Sequence, residues 1–311
     1  NQIVTDVLTV APWNPGSRTD SVMDRSADGS DEDLSLPTVT HTAIGRQGQV
    51  MVTVDTVPTE SALLSDGTTG DGVMSTLRFW QRTNPADYPP ELYGGRMPPY
   101  EITAMIASPH GVTDTVDAVA LSRTGRYCCT VANGNDKSWR LWEQKRRISS
   151  QGDGRFVWVG RYRIDFPAGF ANQKVGDGCF SADESVMAIA FGPMITLWDV
   201  TQGSFVASLS HVDTTNPVES ISFLASGPFA DSLMSFSSKA VVLQSPFAGS
   251  GPANIGWTWE LPNIKQQSLT QVLVLDESTI VASLYNKKAS KTTFMLIDVG
   301  QGDIRHELSL S

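Results

Sequence analysis

Apolar residues along this chain recur at every second position far more often than at the 3.6-residue spacing of a helix. The stretches Thr5–Trp13 (TDVLTVAPW), Gln49–Val57 (QVMVTVDTV), Phe156–Ile164 (FVWVGRYRI) and Gln271–Tyr285 (QVLVLDESTIVASLY) alternate, or run as short β-branched and aromatic segments. Gly, Asp, Ser and Pro separate them. Alternation puts apolar side chains on one face of an extended backbone, so the pattern predicts strands. No amphipathic helix of about ten or more residues emerges, and the expected class is all-β.

The strands are grouped by an internal repeat. Its best copies are Asp117–Gln144 (DAVALSRTGRYCCTVANGNDKSWRLWEQ) and Gly176–Val200 (GDGCFSADESVMAIAFGPMITLWDV). Each reads as an apolar strand ending in Ser, a polar turn, a strand of small and β-branched residues, a short turn, and a strand ending in Leu-Trp. With Ser122 aligned to Ser181, Trp142 and Trp198 coincide after a gap of three residues. Looser copies end at Leu77–Gln81, Val241–Ser245 and Phe294–Val299. A recurrence of roughly 45 to 62 residues suits four-stranded blades of a WD40-type β-propeller with loop insertions. Five blades are readable. Asp303–Ser311 (DIRHELSLS) reads as the first strand of a further one, so a ring of six or seven blades is expected. Residues 1–311 are read as one propeller within a longer tandem-propeller protein.

Two segments break the pattern. Residues 14–37 (NPGSRTDSVMDRSADGSDEDLSLP) are polar and acidic without apolar periodicity and read as a flexible insertion. Residues 84–100 (NPADYPPELYGGRMPPY) hold five prolines and three tyrosines, which suits an extended arm or a recognition segment.

Charge narrows the function classes. Net charge is −10, and residues 1–100 carry 13 Asp and Glu against 6 Arg and no Lys; the rest is nearly balanced. A protein that coats duplex nucleic acid needs a broad basic face to displace counterions, and this distribution argues against one. Local basic clusters remain: Lys145, Arg146 and Arg147 in EQKRRI, and Lys287, Lys288 and Lys291 in YNKKASK. Both are expected at blade-connecting turns beyond strand ends. They read as solvated loop charge or, alternatively, as contacts for RNA phosphates or an acidic partner. Cys128, Cys129 and Cys179 are odd in number and form no CxxC pair, which points to a reduced compartment rather than a disulfide framework. No apolar run approaches 18 residues and no basic leader is present, so no membrane span or secretory signal is expected. The absence of an initial Met suggests a fragment or a processed chain.

The candidate chemistry is thin. His41, His110, His211 and His306 lie far apart, without the spacing of a metal site. His110 and His211 both follow a strand and precede the next one, where a blade histidine bonds a buried turn. Cys179 sits among small apolar residues, where a thiol fills core. Asp66–Gly72 (DGTTGDG) lacks the Lys-Ser/Thr of a phosphate loop and the spacing of a calcium loop, and reads as a hairpin turn. Trp80, Trp142 and Trp198 end third strands, where the ring packs between sheets and the indole N–H bonds locally. Asp199 is a turn residue, and so are the other acids of Val175–Val200. Of Trp257 and Trp259, one is expected against a neighbouring blade and the other more exposed. Trp80, His110, Trp142, Trp198, Asp199 and His211 are therefore framework. No catalytic, metal or cofactor-binding residue is assigned, and no cofactor, membrane or small-molecule substrate is expected.

From Tyr100 to Val200 the order of YEITAMIASPHG, then DAVALSRTGRYCCTVANGNDKSWRLWE, then RFVWVGRYRIDFPAGFANQKVGDGCFSADESVMAIAFGPMITLWDV resembles one family. It is the nucleolar WD-repeat subunit of the UtpA (t-UTP) subcomplex of the small-subunit processome, in its second propeller. VWVGRY, the Cys-Phe-Ser strand, the Trp-Asp strand and the later WTWELP carry the likeness, which covers about two thirds of the chain. The chain differs in its acidic insertion and in a fourth blade ending VVLQS without Trp. The resemblance implies two tandem propellers, no catalysis, and assembly with other UtpA subunits on the 5′ external spacer of nascent pre-rRNA in the nucleolus. It further implies support of 18S rRNA maturation and of ribosomal DNA transcription. A WD-repeat adaptor that binds peptide motifs in another nuclear or cytoplasmic complex is the alternative, and an enzymatic propeller is a third class.

Overall fold

The computed structural model describes residues 38–63, 69–83, 100–148, 154–170, 172–227, 229–247, 255–261, 267–275 and 278–310. Among these described residues, twenty strands form five four-stranded antiparallel sheets. The first holds β1 (Thr38–Gly45), β2 (Val50–Leu63), β3 (Thr69–Arg82) and β4 (Tyr100–Ala107). The second holds β5 (Ala118–Leu121), β6 (Tyr127–Ala132), β7 (Ser138–Ile148) and β8 (Gly154–Asp165). The third holds β9 (Val175–Phe180), β10 (Val186–Phe191), β11 (Met194–Asp199) and β12 (Phe205–Ser210). The fourth holds β13 (Val218–Phe223), β14 (Leu233–Ser237), β15 (Ala240–Gln244) and β16 (Ile255–Glu260). The fifth holds β17 (Gln267–Val274), β18 (Thr279–Asn286), β19 (Lys291–Asp298) and β20 (Ile304–Leu310). Sequential strands pair in chain order, so each sheet is a meander. The fold is all-β, built of the four-stranded blades of the WD40 β-propeller class, and the five blades read from the repeat are these five sheets.

One expectation fails at the C-terminus. Ile304–Leu310 does not open a further blade; it pairs with β19 as the fourth strand of the fifth sheet. A short alternating segment fits a first or a fourth strand equally well, and the pairing decides. The strand expected at Thr5–Trp13, the acidic segment 14–37 and the Pro/Tyr-rich segment 84–100 (Tyr100 apart, which begins β4) lie outside the described residues.

The chain divides into two compact units. The first comprises Asn1–Val116, Gly134–Asp136 and Gln144–Val159. In it Val50, Val52 and Val54 alternate onto one face of β2, beside Leu77 and Phe79 of β3, and all five are buried. Trp158 stacks on Phe79 with ring centroids 4.0 Å apart.

The second unit comprises Asp117–Asn133, Lys137–Glu143 and Gly160–Ser311. Its core is a series of layers between successive sheets. Cys129, Val131, Trp139 and Leu141 pack with Met187, Ile189, Phe191 and Trp198. Ala188, Ala190, Ile195 and Leu197, on the other face of the third sheet, pack with Val218, Ile221 and Phe223. Met234, Phe236, Val241 and Leu243 pack with Ile280, Ala282, Met295 and Ile297. Both faces of a middle sheet are thus buried, and β10 is buried at all six positions. Trp257 and Trp259 both pack against the last of these layers, contrary to the expectation that one is more exposed. Residues two apart on a strand share a face, so the pair could not be split in that way.

Candidate functional site

In the first unit the polar framework gathers at the turn after β6. The Asp114 carboxylate accepts the backbone N–H groups of Asn135 and Asp136 at 2.8 and 2.6 Å. Asp136 in turn meets His110 Nδ1 at 2.7 Å, with both side chains nearly sealed from solvent. Gly134 fits here because a Cβ would stand 2.3 Å from an Asp114 oxygen. The histidine thus meets, through Asp136, the turn that Asp114 holds. Trp80 donates its indole N–H to Thr53 Oγ1 at 2.9 Å. On the same sheet Arg78 and Asp55 form a buried ion pair at 3.0 Å. Burial raises the Asp55 carboxyl pKa and the guanidinium opposes that shift.

The second unit repeats the tryptophan device. Trp142 donates to Thr130 Oγ1 at 3.0 Å and Trp198 to Thr196 Oγ1 at 2.9 Å. Each ring is buried without stranding its N–H, which would cost about 1–3 kcal/mol. Asp199 closes the turn after β11, where Oδ1 accepts Thr201 N–H at 2.7 Å and Gln202 N–H at 2.8 Å. Those bonds, led by the one from the Thr201 hydroxyl, hold its pKa below the usual carboxylate value. Asp183 likewise staples its own turn through Ser181 and Ser185.

Two acids of Val175–Val200 are not simple turn residues, which corrects the sequence reading. Glu184, buried and at φ 62°, reaches Thr124 in the preceding sheet, accepting its N–H at 2.6 Å and its hydroxyl at 2.9 Å. Asp177 lies within β9 and accepts Ser220 Oγ at 2.6 Å and Ile221 N–H at 3.1 Å from β13. Both bind one sheet to the next, and no local motif marks them because their partners lie 60 and 43 to 44 residues away. A further group that motif reading missed is Arg126, Glu143 and Arg161. Glu143, buried in β7, meets Arg126 at 3.0 Å and Arg161 at 3.4 Å. Arg161 also donates to the Thr201 carbonyl at 3.1 Å.

His211 is buried at the start of the loop to β13, and its Nδ1 accepts the Asp213 N–H at 3.1 Å. Burial lowers its pKa, so the ring is held neutral. Asp213 accepts from Thr215, Asn216 and Ser237, and its pKa is lowered to about 2 by those hydrogen bonds, which outweigh burial. The loop walls a cleft of about 410 Å³, with Lys239, Ala240, Glu260 and Leu261 opposite. In this blade Gln244 stands where the first three sheets carry Trp80, Trp142 and Trp198, and its Nε2 donates to the Ser210 carbonyl at 3.1 Å.

The basic clusters are not at blade-connecting turns. Lys145, Arg146 and Arg147 are exposed residues within β7. Lys287 and Lys288 sit in the β18–β19 turn inside one sheet, and Lys291 begins β19; all three are exposed. The two clusters belong to different compact units. Cys128, Cys129 and Cys179 are free, and burial pushes every one of these thiols up, well away from the thiolate a nucleophile needs. Among the described residues no three His, Cys, Asp or Glu side chains gather as metal ligands.

Residues 91–228 match the family model of the WD repeat-containing protein 75 second beta-propeller. That span is less than half of the chain, and it takes in β4 through β13. No curated protein matches the chain.

Proposed function

We propose that this protein is a non-enzymatic scaffold of ribosome biogenesis, resident in the nucleolus. In this reading it assembles with WD-repeat and helical subunits of a UtpA-like complex on the 5′ external spacer of nascent pre-rRNA. There it supports 18S rRNA maturation and ribosomal DNA transcription. The observation that carries the proposal is the family match over residues 91–228. The polar network gives it physical support: His110, Asp114, Asp177, Asp183, Glu184 and Asp199 all spend their hydrogen bonds on turns and neighbouring sheets. A rigid stack of blades offers edges and loops to several partners at once. Lys145, Arg146 and Arg147, with Lys287, Lys288 and Lys291, are the basic side chains proposed to meet RNA phosphates or an acidic subunit. Depletion in cells, followed by hybridisation to ribosomal RNA precursors, tests the role. Loss of 18S rRNA with accumulation of precursor retaining the 5′ spacer is expected, and unchanged precursor levels would refute it.

A further inference from the structure

Three charged side chains, Asp213, Lys239 and Glu260, line the cleft of about 410 Å³ beside the β12–β13 loop. The whole cleft lies within the second compact unit, between that loop, the β14–β15 turn and the end of β16. Two of the three charges are committed to the fold. The Asp213 carboxylate accepts from Thr215, Asn216 and Ser237, and the Lys239 ammonium donates to the Gln267 carbonyl. Glu260 is exposed, and its carboxylate has no hydrogen-bond or ion-pair partner among the described residues.

The lining says what kind of group fits. Ala240 and Leu261 give the cleft a buried apolar floor, and Val212 adds a half-buried apolar wall. Glu260 pairs with Ala240 across β15 and β16, so its side chain stands on the same face as that floor. Two carboxylates oppose one ammonium, and His211 behind the loop is held neutral and adds no positive charge. The site is therefore apolar at its base and negative at its rim. A long aliphatic stem that ends in a cation has the matching shape, and only lysine and arginine carry one.

We propose that this cleft seats a lysine or arginine side chain presented by an extended segment of a partner protein. Its stem lies on Ala240, Leu261 and Val212, and its cation meets Glu260. Thr214, exposed at the rim, faces the partner's backbone. Contact along the stem supplies affinity, and the charge pair selects the residue and speeds encounter. The sign of this site is opposite to that of the basic clusters proposed to meet RNA, so the two surfaces select different partners.

The test uses the 311-residue chain labelled with nitrogen-15, with the amide signals of Thr214, Thr215 and Lys239 as reporters. The probes are four capped tripeptides, acetyl-Gly-X-Gly-amide, in which X is Arg, Lys, citrulline or Glu. The Arg and Lys peptides should shift those signals saturably, and high salt should weaken both. Citrulline, which keeps the stem and loses the charge, should bind about fivefold more weakly or worse. E260Q should weaken the Arg peptide to the same extent and, because Glu260 is exposed, should keep the parent melting temperature. D303N, the same loss of charge at an exposed residue before β20, should change binding less than about twofold. Equal affinity for the Arg and citrulline peptides would overturn the proposal, as would an E260Q variant that binds like the parent. So would preference for the Glu peptide, which would make Lys239 the binding group, or no shift with any of the four.

Discussion

At the scale of single residues, the tightest constraint is Gly176. A Cβ there would stand 1.9 Å from the Val218 carbonyl oxygen, so the β9 and β13 backbones touch at a point where no side chain fits. Gly176→Ala should destabilise the protein by about 2 kcal/mol or more, since only backbone movement relieves the clash. An unchanged urea midpoint would contradict this. The cysteines offer a second expectation at this scale. Burial raises all three thiols, so native protein should resist a thiol reagent at pH 8 and react fully once unfolded. Rapid native labelling would show that β6 or β9 opens. The repeat places Trp80, Trp142 and Trp198 towards the ends of third strands, and the structure adds that each ring is buried with its indole N–H on a threonine hydroxyl. Asp177 and Glu184 were not legible, since their partners become neighbours only when sheets stack.

At the scale of elements, strand existence followed from period-two alternation, and hairpins from the polar turns between. Strand rank within a sheet did not. IRHELSL alternates in the same way whether it opens a blade or closes one, and EQKRRI looks like a loop until β7 is seen to run to Ile148. The loop after β12 carries a pH expectation. His211 has a lowered pKa when folded, so between its usual value near 6.5 and the folded value the unfolded chain binds the extra proton. Stability is therefore full above about pH 6.5 and declines as pH falls below it. Asp213 adds a second, more acidic decline: folded at about 2 against 3.8, its contribution is present above about pH 3.8 and lost towards pH 2. In His211→Asn, whose side-chain oxygen can still accept the Asp213 N–H, the melting temperature should fall less between pH 7 and 5.5 than in the parent. Identical slopes would show that His211 is not the group responsible.

At the scale of the whole molecule, charge and family likeness bear on different questions. Net charge of −10 sets a repulsive background for nucleic acid, so any RNA contact must come from local clusters. Charge reversal at Arg146 and Arg147, both exposed, should lower RNA cross-linking without lowering the melting temperature. A loss of stability instead would make the cluster structural. The β-propeller class was readable from the repeat alone, whereas the pathway rests on the match over residues 91–228. The central claim is membership of a UtpA-like assembly on pre-rRNA, and ultraviolet cross-linking followed by affinity purification from nuclear extract tests it most directly. Co-recovery of UtpA subunits with cross-links to the 5′ external spacer is the expected result; recovery of neither would contradict the account.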